Sequence, residues 1–246
     1  IFAANKNGWI NAFDVTRPEQ PELLGSLDVN ARYGLADTHD IDTLGNYVLV
    51  VCPRKFGAYP FGQLGVIQVR DPDTGSLLPS EQWTLAGKLE IFELIGANRI
   101  QVRGHYAFTA GSWSPDARIH GNENKPSLTC ILDLHNPTRP TLLATVPFDD
   151  RRGPNGLTLE GNMVFVAGGE TVEAIDISIP DKPVKLGTQK LPPENIKPDP
   201  NRRGDNAHDL VYRDGFLYVS CQSDNSFMIL KVEDPNILKL ALGRRI

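Results

Sequence analysis

One stretch constrains the fold more than any other. Residues 153–190, GPNGLTLEGNMVFVAGGETVEAIDISIPDKPVKLGTQK, read as a complete structural unit that the rest of the chain copies imperfectly. Leu157 and Leu159 alternate with polar neighbours and stop at Glu160-Gly161-Asn162. A more continuous apolar run at 163–167 follows and ends on glycines. A third run, 172–177, carries Asp176, and Pro180-Asp181-Lys182-Pro183 reverses the chain into a fourth at 184–187. Short β-prone runs separated by Gly, Asn and Pro turns predict four strands in one antiparallel meander.

The copies lie on both sides. The first-strand element recurs as His39-Asp40-Ile41 with Gly45-Asn46, as Asn98-Arg99-Ile100 with Arg103-Gly104, and as His208-Asp209-Leu210 with Asp214-Gly215. The third-strand element recurs as FDVTRPEQPELLG (13–25) and LDLHNPTRPTLLA (132–144), and with the Asp lost as QVRDPDTGSLL (68–78) and LKVEDPNILKLAL (230–242). Five meanders in tandem predict an all-β chain, a five-bladed β-propeller of four-stranded antiparallel blades. The blade units are 1–27, 38–86, 97–146, 154–191 and 207–243, and 1–246 is expected to form a single domain. From His39 to Asn98, to Asn155 and to His208 the steps are 59, 57 and 53 residues. These exceed the usual single-blade period of about 40–50 residues, so long loops are expected. The first unit supplies only strands two to four. Its blade therefore lacks the innermost strand, and the native protein is expected to carry residues ahead of Ile1 that complete it.

MVFVAGG (163–169) followed by VEAIDISIPDKPVKLG (172–187) resembles the LVIVD-repeat proteins, bacterial β-propellers with units of the form YVA.G..GL.VVDVSDP..P.LVG. The resemblance implies a propeller fold and tilts the expected location to the periplasm or cell surface. It implies no activity, since a fold alone does not fix chemistry.

Bulk properties narrow the function classes. A net charge of −5 argues against general nucleic-acid binding, which needs a strongly basic face. No apolar run reaches the roughly 20 residues that span a bilayer as a helix. Cys52, Cys130 and Cys221 form no CxxC pair, and buried thiols with neither a disulfide nor a metal role are expected.

In a four-strand meander the connections after strands two and four lie at one end, and those after strands one and three at the other. The long segments 28–38, 52–62, 87–97, 111–126, 148–154 and 192–207 all fall in the first set, and insertions on one face of a repeat protein commonly mark the binding face. His39, Asn98, Asn155 and His208 stand at equivalent entrances to the innermost strands, four polar side chains where small apolar ones would pack more easily. Two uses fit them: a ligand or metal site, and hydrogen bonds to neighbouring backbone or to water. Arg54, Arg118, Arg151, Arg152 and Arg203, with Arg32, concentrate guanidinium groups on the same loops. Such forks bind carboxylates and phosphates, unless they pair with loop acids. Tyr59, Trp113 and Tyr33 can stack on sugar rings or plug the space between loops, and His120 adds an imidazole. Trp9 and Trp83 are read as strand residues packed between blades.

These residues favour a binding propeller that captures a polar or anionic ligand, a carbohydrate or uronate among the candidates. No resident cofactor is expected; a divalent metal, were one held, would use His39 and His208. Two alternatives stay open. One is a carbohydrate-active enzyme, a polysaccharide lyase or glycoside hydrolase working in the same pocket. The other is a scaffold for a protein partner.

Overall fold

The computed structural model describes residues 1–53, 61–111, 127–149, 153–191, 207–221, 226–235 and 237–245. These residues are almost entirely β-structure, in five antiparallel sheets. The first sheet has three strands, β1 (Phe2–Asn5), β2 (Trp9–Asp14) and β3 (Glu22–Asp28). A single helical turn, α1 (Val29–Tyr33), leads to the second sheet of β4 (Asp40–Leu44), β5 (Tyr47–Cys52), β6 (Gly62–Gln68) and β7 (Thr84–Ile91). The third holds β8 (Ala97–Arg103), β9 (Tyr106–Gly111), β10 (Leu128–Asp133) and β11 (Thr141–Pro147). β12 (Gly156–Glu160), β13 (Met163–Gly168), β14 (Thr171–Asp176) and β15 (Val184–Lys190) make the fourth, and β16 (Ala207–Arg213), β17 (Phe216–Cys221), β18 (Ser226–Asp234) and β19 (Ile237–Arg245) the fifth. Within each sheet neighbouring strands are consecutive in the chain, the simple meander order.

Turn chemistry explains why the strands reverse where they do. Gly45, Gly104 and Gly161 occupy the left-handed region at φ of 54°, 58° and 50°, and Asp214-Gly215 places two such residues in succession. That backbone is open to Gly and tolerated by Asp, and it matches the twist of a two-residue hairpin. After the third strands the reversal is made by an acid. The Asp176 carboxylate accepts the Ser178 N–H at 2.7 Å and its hydroxyl at 2.6 Å, and Asp14 accepts the Thr16 N–H at 2.8 Å. In blade three the partner is an imidazole: Asp133 accepts the His135 N–H at 2.8 Å and lies 2.8 Å from its Nδ1. Blade two lacks the acid at the strand end, and Asp71 takes over by accepting from the N–H groups of Asp73 and Thr74.

One regularity exists only in the register. The pairing of third with fourth strand shifts at Ala12/Phe13, Val66/Ile67, Ala174/Ile175 and Ile229/Leu230, the same place in four blades. A bulge at that point bends the outer strand and strengthens its twist.

Contacts group the chain into two compact units, Ile1–Ala107 with Leu132–Leu142, and Phe108–Ile131 with Leu143–Ile246. The core of the first packs Ile10, Val29, Leu35, Val48, Ile67 and Trp83 between the first two sheets. Trp83 is fully buried but precedes β7 rather than lying in it; its indole N–H donates to the Leu78 carbonyl at 2.8 Å and its ring meets Phe2 edge-on. Trp9, expected as packing between blades, is 40% exposed. The fourth strand of blade two runs to Ile91, beyond the expected end at 86, because the connection at 69–83 is long enough to carry an Arg70–Leu77 bridge and a 3-10 turn at Ser80–Gln82. In the second unit Phe165, Val172, Leu217, Val219, Met228 and Leu230 form the core. Cys52, Cys130 and Cys221 are buried thiols.

Candidate functional site

In the first unit the site is built on the chain entering β4. Thr38 is buried and its hydroxyl donates to the Asn5 carbonyl, which fixes the segment against β1. The His39 N–H donates to Val51 O at 3.0 Å and so extends the β4–β5 ladder by one residue. Between β3 and this anchor Asp37 takes a left-handed φ of 61°, rare for a residue with a Cβ. The turn brings its Oδ1 to 3.2 Å from His39 Nε2. His39 is largely enclosed, with 11% of its side chain exposed, and Asp37 keeps 28%. An acid that holds one imidazole nitrogen fixes the tautomer and leaves the other to accept or donate a proton.

The next two acids of the same strand do something different. Asp40 Oδ2 accepts the Ile100 N–H at 3.0 Å, and Asp42 Oδ2 accepts the Val102 N–H at 2.6 Å. β8 is the inner edge of its sheet, so alternate N–H groups on that edge have no ladder partner, and residues i and i+2 of β4 supply the acceptors. Asn98 is buried on β8, and Arg99 donates from Nη1 to the Asn98 carbonyl at 3.3 Å.

In the second unit Asn155 enters β12 as His39 enters β4, with its N–H on Ala167 O at 2.8 Å and its side chain buried. Gly156, next along, lies so close to β16 that a Cβ there would stand 2.7 Å from the Asp209 Cα. His208 is the extra residue of a bulge in the β16–β17 pairing, between Ala207 opposite Cys221 and Asp209 opposite Ser220. Bulges of this kind re-aim a side chain. Asp209 Oδ1 turns back onto the Leu210 N–H at 2.9 Å.

The same unit holds a group that sequence reasoning missed. Glu173 on β14 is fully buried; its Oε1 accepts the Asp149 N–H at 2.8 Å. Lys185 Nζ lies 2.8 Å from Glu173 Oε2, as an ion pair without hydrogen-bond alignment, and 2.8 Å from Asp149 Oδ1. Burial pushes the Glu173 carboxyl above its usual range against the pull of Lys185 and the Asp149 N–H. For Lys185 burial disfavours the ammonium, but the hydrogen bond to Asp149 and the ion pair with Glu173 outweigh it and hold the amine above its usual value. The available signal was a charged residue inside an otherwise apolar third strand.

The sequence candidates thus divide. His39 and Asn98 belong to the first unit, Asn155 and His208 to the second. Arg54, Tyr59, Trp113, Arg118, His120, Arg151, Arg152 and Arg203 lie outside the described residues. Arg32 and Tyr33 brace α1: Arg32 donates to the Glu81 carbonyl and lies over the Tyr33 ring, and the Tyr33 hydroxyl donates to Trp83 O at 2.9 Å. Among the described residues no three His, Cys, Asp or Glu side chains are grouped to hold a metal. No described helix is long and apolar enough to cross a membrane.

No known protein family profile matches the chain, and no curated protein matches it in sequence. Its fold matches solved structures. The periplasmic gluconolactonase PpgL of Pseudomonas aeruginosa aligns with a TM-score of 0.64 at 17% identity, over 99% of this chain and 66% of that one. A provisional 6-phosphogluconolactonase from Bacteroides uniformis aligns at 0.65 and 13% identity, over 99% and 65%. The β-propeller domain of Cps50 (Swd1) from Myceliophteria thermophila aligns at 0.59 and 12% identity, over 98% and 67%. The chain spans about two thirds of the length of these proteins. Likeness at such identities is likeness of fold, and the fold is that of the β-propellers.

Proposed function

We propose that this chain forms five propeller blades of LVIVD-like repeats and binds a polar or anionic sugar derivative, a sugar acid or its lactone, where the innermost strands begin. The observation that carries the reading is the Asp37–His39 pair: a largely enclosed imidazole, held by an acid whose own backbone sits in a strained region. Strain of about 1–3 kcal/mol persists where surrounding structure over-determines it, and such residues cluster at binding and catalytic sites. Asp40 and Asp42 are engaged with β8 amides. Arg99 places a cation on that neighbouring strand, beside the entrance. In the second unit Asn155 and His208 repeat the same residue types at the equivalent positions. Two of the fold's solved likenesses are named for gluconolactone chemistry, one of them periplasmic, which supports the sugar-acid class and an exported location.

A second reading is supported by the same pair. An imidazole oriented by a carboxylate is the base–orienter element of general acid–base catalysis, so a carbohydrate-active enzyme, hydrolytic or eliminating, would use His39 as the proton acceptor. The test is calorimetric titration with gluconate and galacturonate against neutral glucose, alongside the rate of gluconolactone loss. The reading expects saturable binding of the acids and none of glucose. Equal heats for all three would sink it, and lactone loss above the spontaneous rate would select the enzyme.

A further inference from the structure

Glu173 lies in mid-strand on β14, opposite Thr188 of β15. The corresponding third-strand positions of the other blades carry Asn11, Gly65, Cys130 and Met228, so no repeat-wide packing demand calls for a charge here. An unpaired buried carboxylate costs several kcal/mol, and even a paired one is often no better than an apolar residue. What Glu173 gains is a hold on a segment of chain 24 residues away. Its Oε1 accepts the Asp149 N–H, its Oε2 faces Lys185, and Lys185 returns to the Asp149 carboxylate. The ring closes through β14, β15 and the segment that follows β11. Asp149 meets blade four through both its backbone and its side chain.

We propose that this ring is a pH-responsive clamp: ionised Glu173 fixes the Asp149 backbone against blade four, and protonation of Glu173 loosens that hold while the Asp149 carboxylate stays on Lys185. The argument stands on the second unit's geometry and does not depend on the sugar-acid reading.

Three features give the clamp its sense. The acceptor is charged, and a charge-assisted bond to an amide is roughly twice as strong as a neutral one, so neutralisation weakens the hold on Asp149 directly. Among the described residues the charged groups that face Glu173 are Lys185 from β15 and Asp149 from the segment after β11. Lys185 keeps its proton through any acid excursion and remains paired with Asp149, whose side chain is 63% exposed. Burial raises the Glu173 carboxyl, so the folded chain takes up that proton more readily than the unfolded chain does. Acidification therefore loosens the Asp149 backbone while relieving a buried charge, and the loosening does not require blade four to unfold.

The test is NMR on the whole chain, following the Glu173 side-chain carboxyl carbon and the Asp149 amide through an acid titration. The Asp149 amide is expected to show a step with the midpoint of Glu173, above the ordinary glutamate value, and that step should disappear in Glu173→Gln, whatever titration Asp149's own carboxyl adds. An Asp149 amide with no step at the Glu173 midpoint, a Glu173 midpoint at or below the ordinary value, or a step at that midpoint that survives in the variant would overturn the proposal. The wild-type titration decides the question alone if the variant fails to fold.

Discussion

The Asp40 carboxylate of β4 accepts the backbone N–H of Ile100 on β8 at 3.0 Å, and Asp42, two residues on, repeats the contact with Val102. Inner-edge amides that a sheet cannot satisfy are thus satisfied by side chains of the preceding blade. Asp42→Ala removes the acceptor without replacing it and is expected to cost about 1–3 kcal/mol in urea unfolding, the range for a buried donor left unmade. Asp42→Asn keeps an oxygen in reach and should cost less. Equal stability of Asp42→Ala and wild type would show that water replaces the carboxylate.

Two glycines separate close approach from conformation. A Cβ on Gly168 would stand 1.9 Å from the Gly153 carbonyl oxygen, backbone that cannot swing aside, whereas Gly161 has open space and needs only its φ of 50°. Gly168→Ala is expected to destabilise by more than about 3 kcal/mol, the upper end of ordinary overpacking. Gly161→Ala should lose about 1 kcal/mol for the left-handed backbone. Denaturant midpoints of the two variants check the order.

The turn acids set the acid limb of stability. Backbone N–H bonds from Thr16, Thr74 and His135, and the Ser178 hydroxyl together with its N–H, hold Asp14, Asp71, Asp133 and Asp176 below the ordinary carboxyl value of 3.8. The unfolded chain binds those protons more readily. Stability from the four acids is therefore complete above about pH 4 and is lost as the pH falls through the folded values. Thermal midpoints measured from pH 5 down to 2 should fall, and Asp176→Asn should flatten the fall. An unchanged slope in that variant would remove the turn acids from the account.

Asp37 trades stability for geometry. Glycine adopts φ near 60° without strain, so Asp37→Gly is expected to raise stability by up to about 1 kcal/mol while weakening sugar-acid binding at least tenfold. Loss of stability with binding intact would make Asp37 an ordinary turn residue.

Much of the fold was legible because its signals are local. Gly45, Gly161 and Asp214-Gly215 announce hairpins through the backbone they permit, and the repeated third-strand Asp marks a turn that it caps itself. The recurrent bulge was not legible, since it exists only in the pairing of two strands. The late start of β7 was hidden because QVRDPDTGSLL mimics a turn and strand but forms a longer connection. At the site, His39 was visible as a polar residue at a strand entrance. Its pairing with Asp37 was not, because only the left-handed backbone at Asp37 brings the two side chains together. Glu173 is a charge in an apolar run, but that alone did not mark it as a site residue, and Asp149, 24 residues earlier, carries no mark of their contact.

On the sugar-acid reading, His39 meets the ligand. The measurement that reaches it most directly is the imidazole NMR spectrum of the whole chain during titration with gluconate. His39 resonances are expected to shift saturably with the same affinity that calorimetry reports, while His105 and His135, stacked on one another at 4.7 Å, stay in place. Saturable gluconate binding that leaves His39 unmoved would place the ligand elsewhere on the chain.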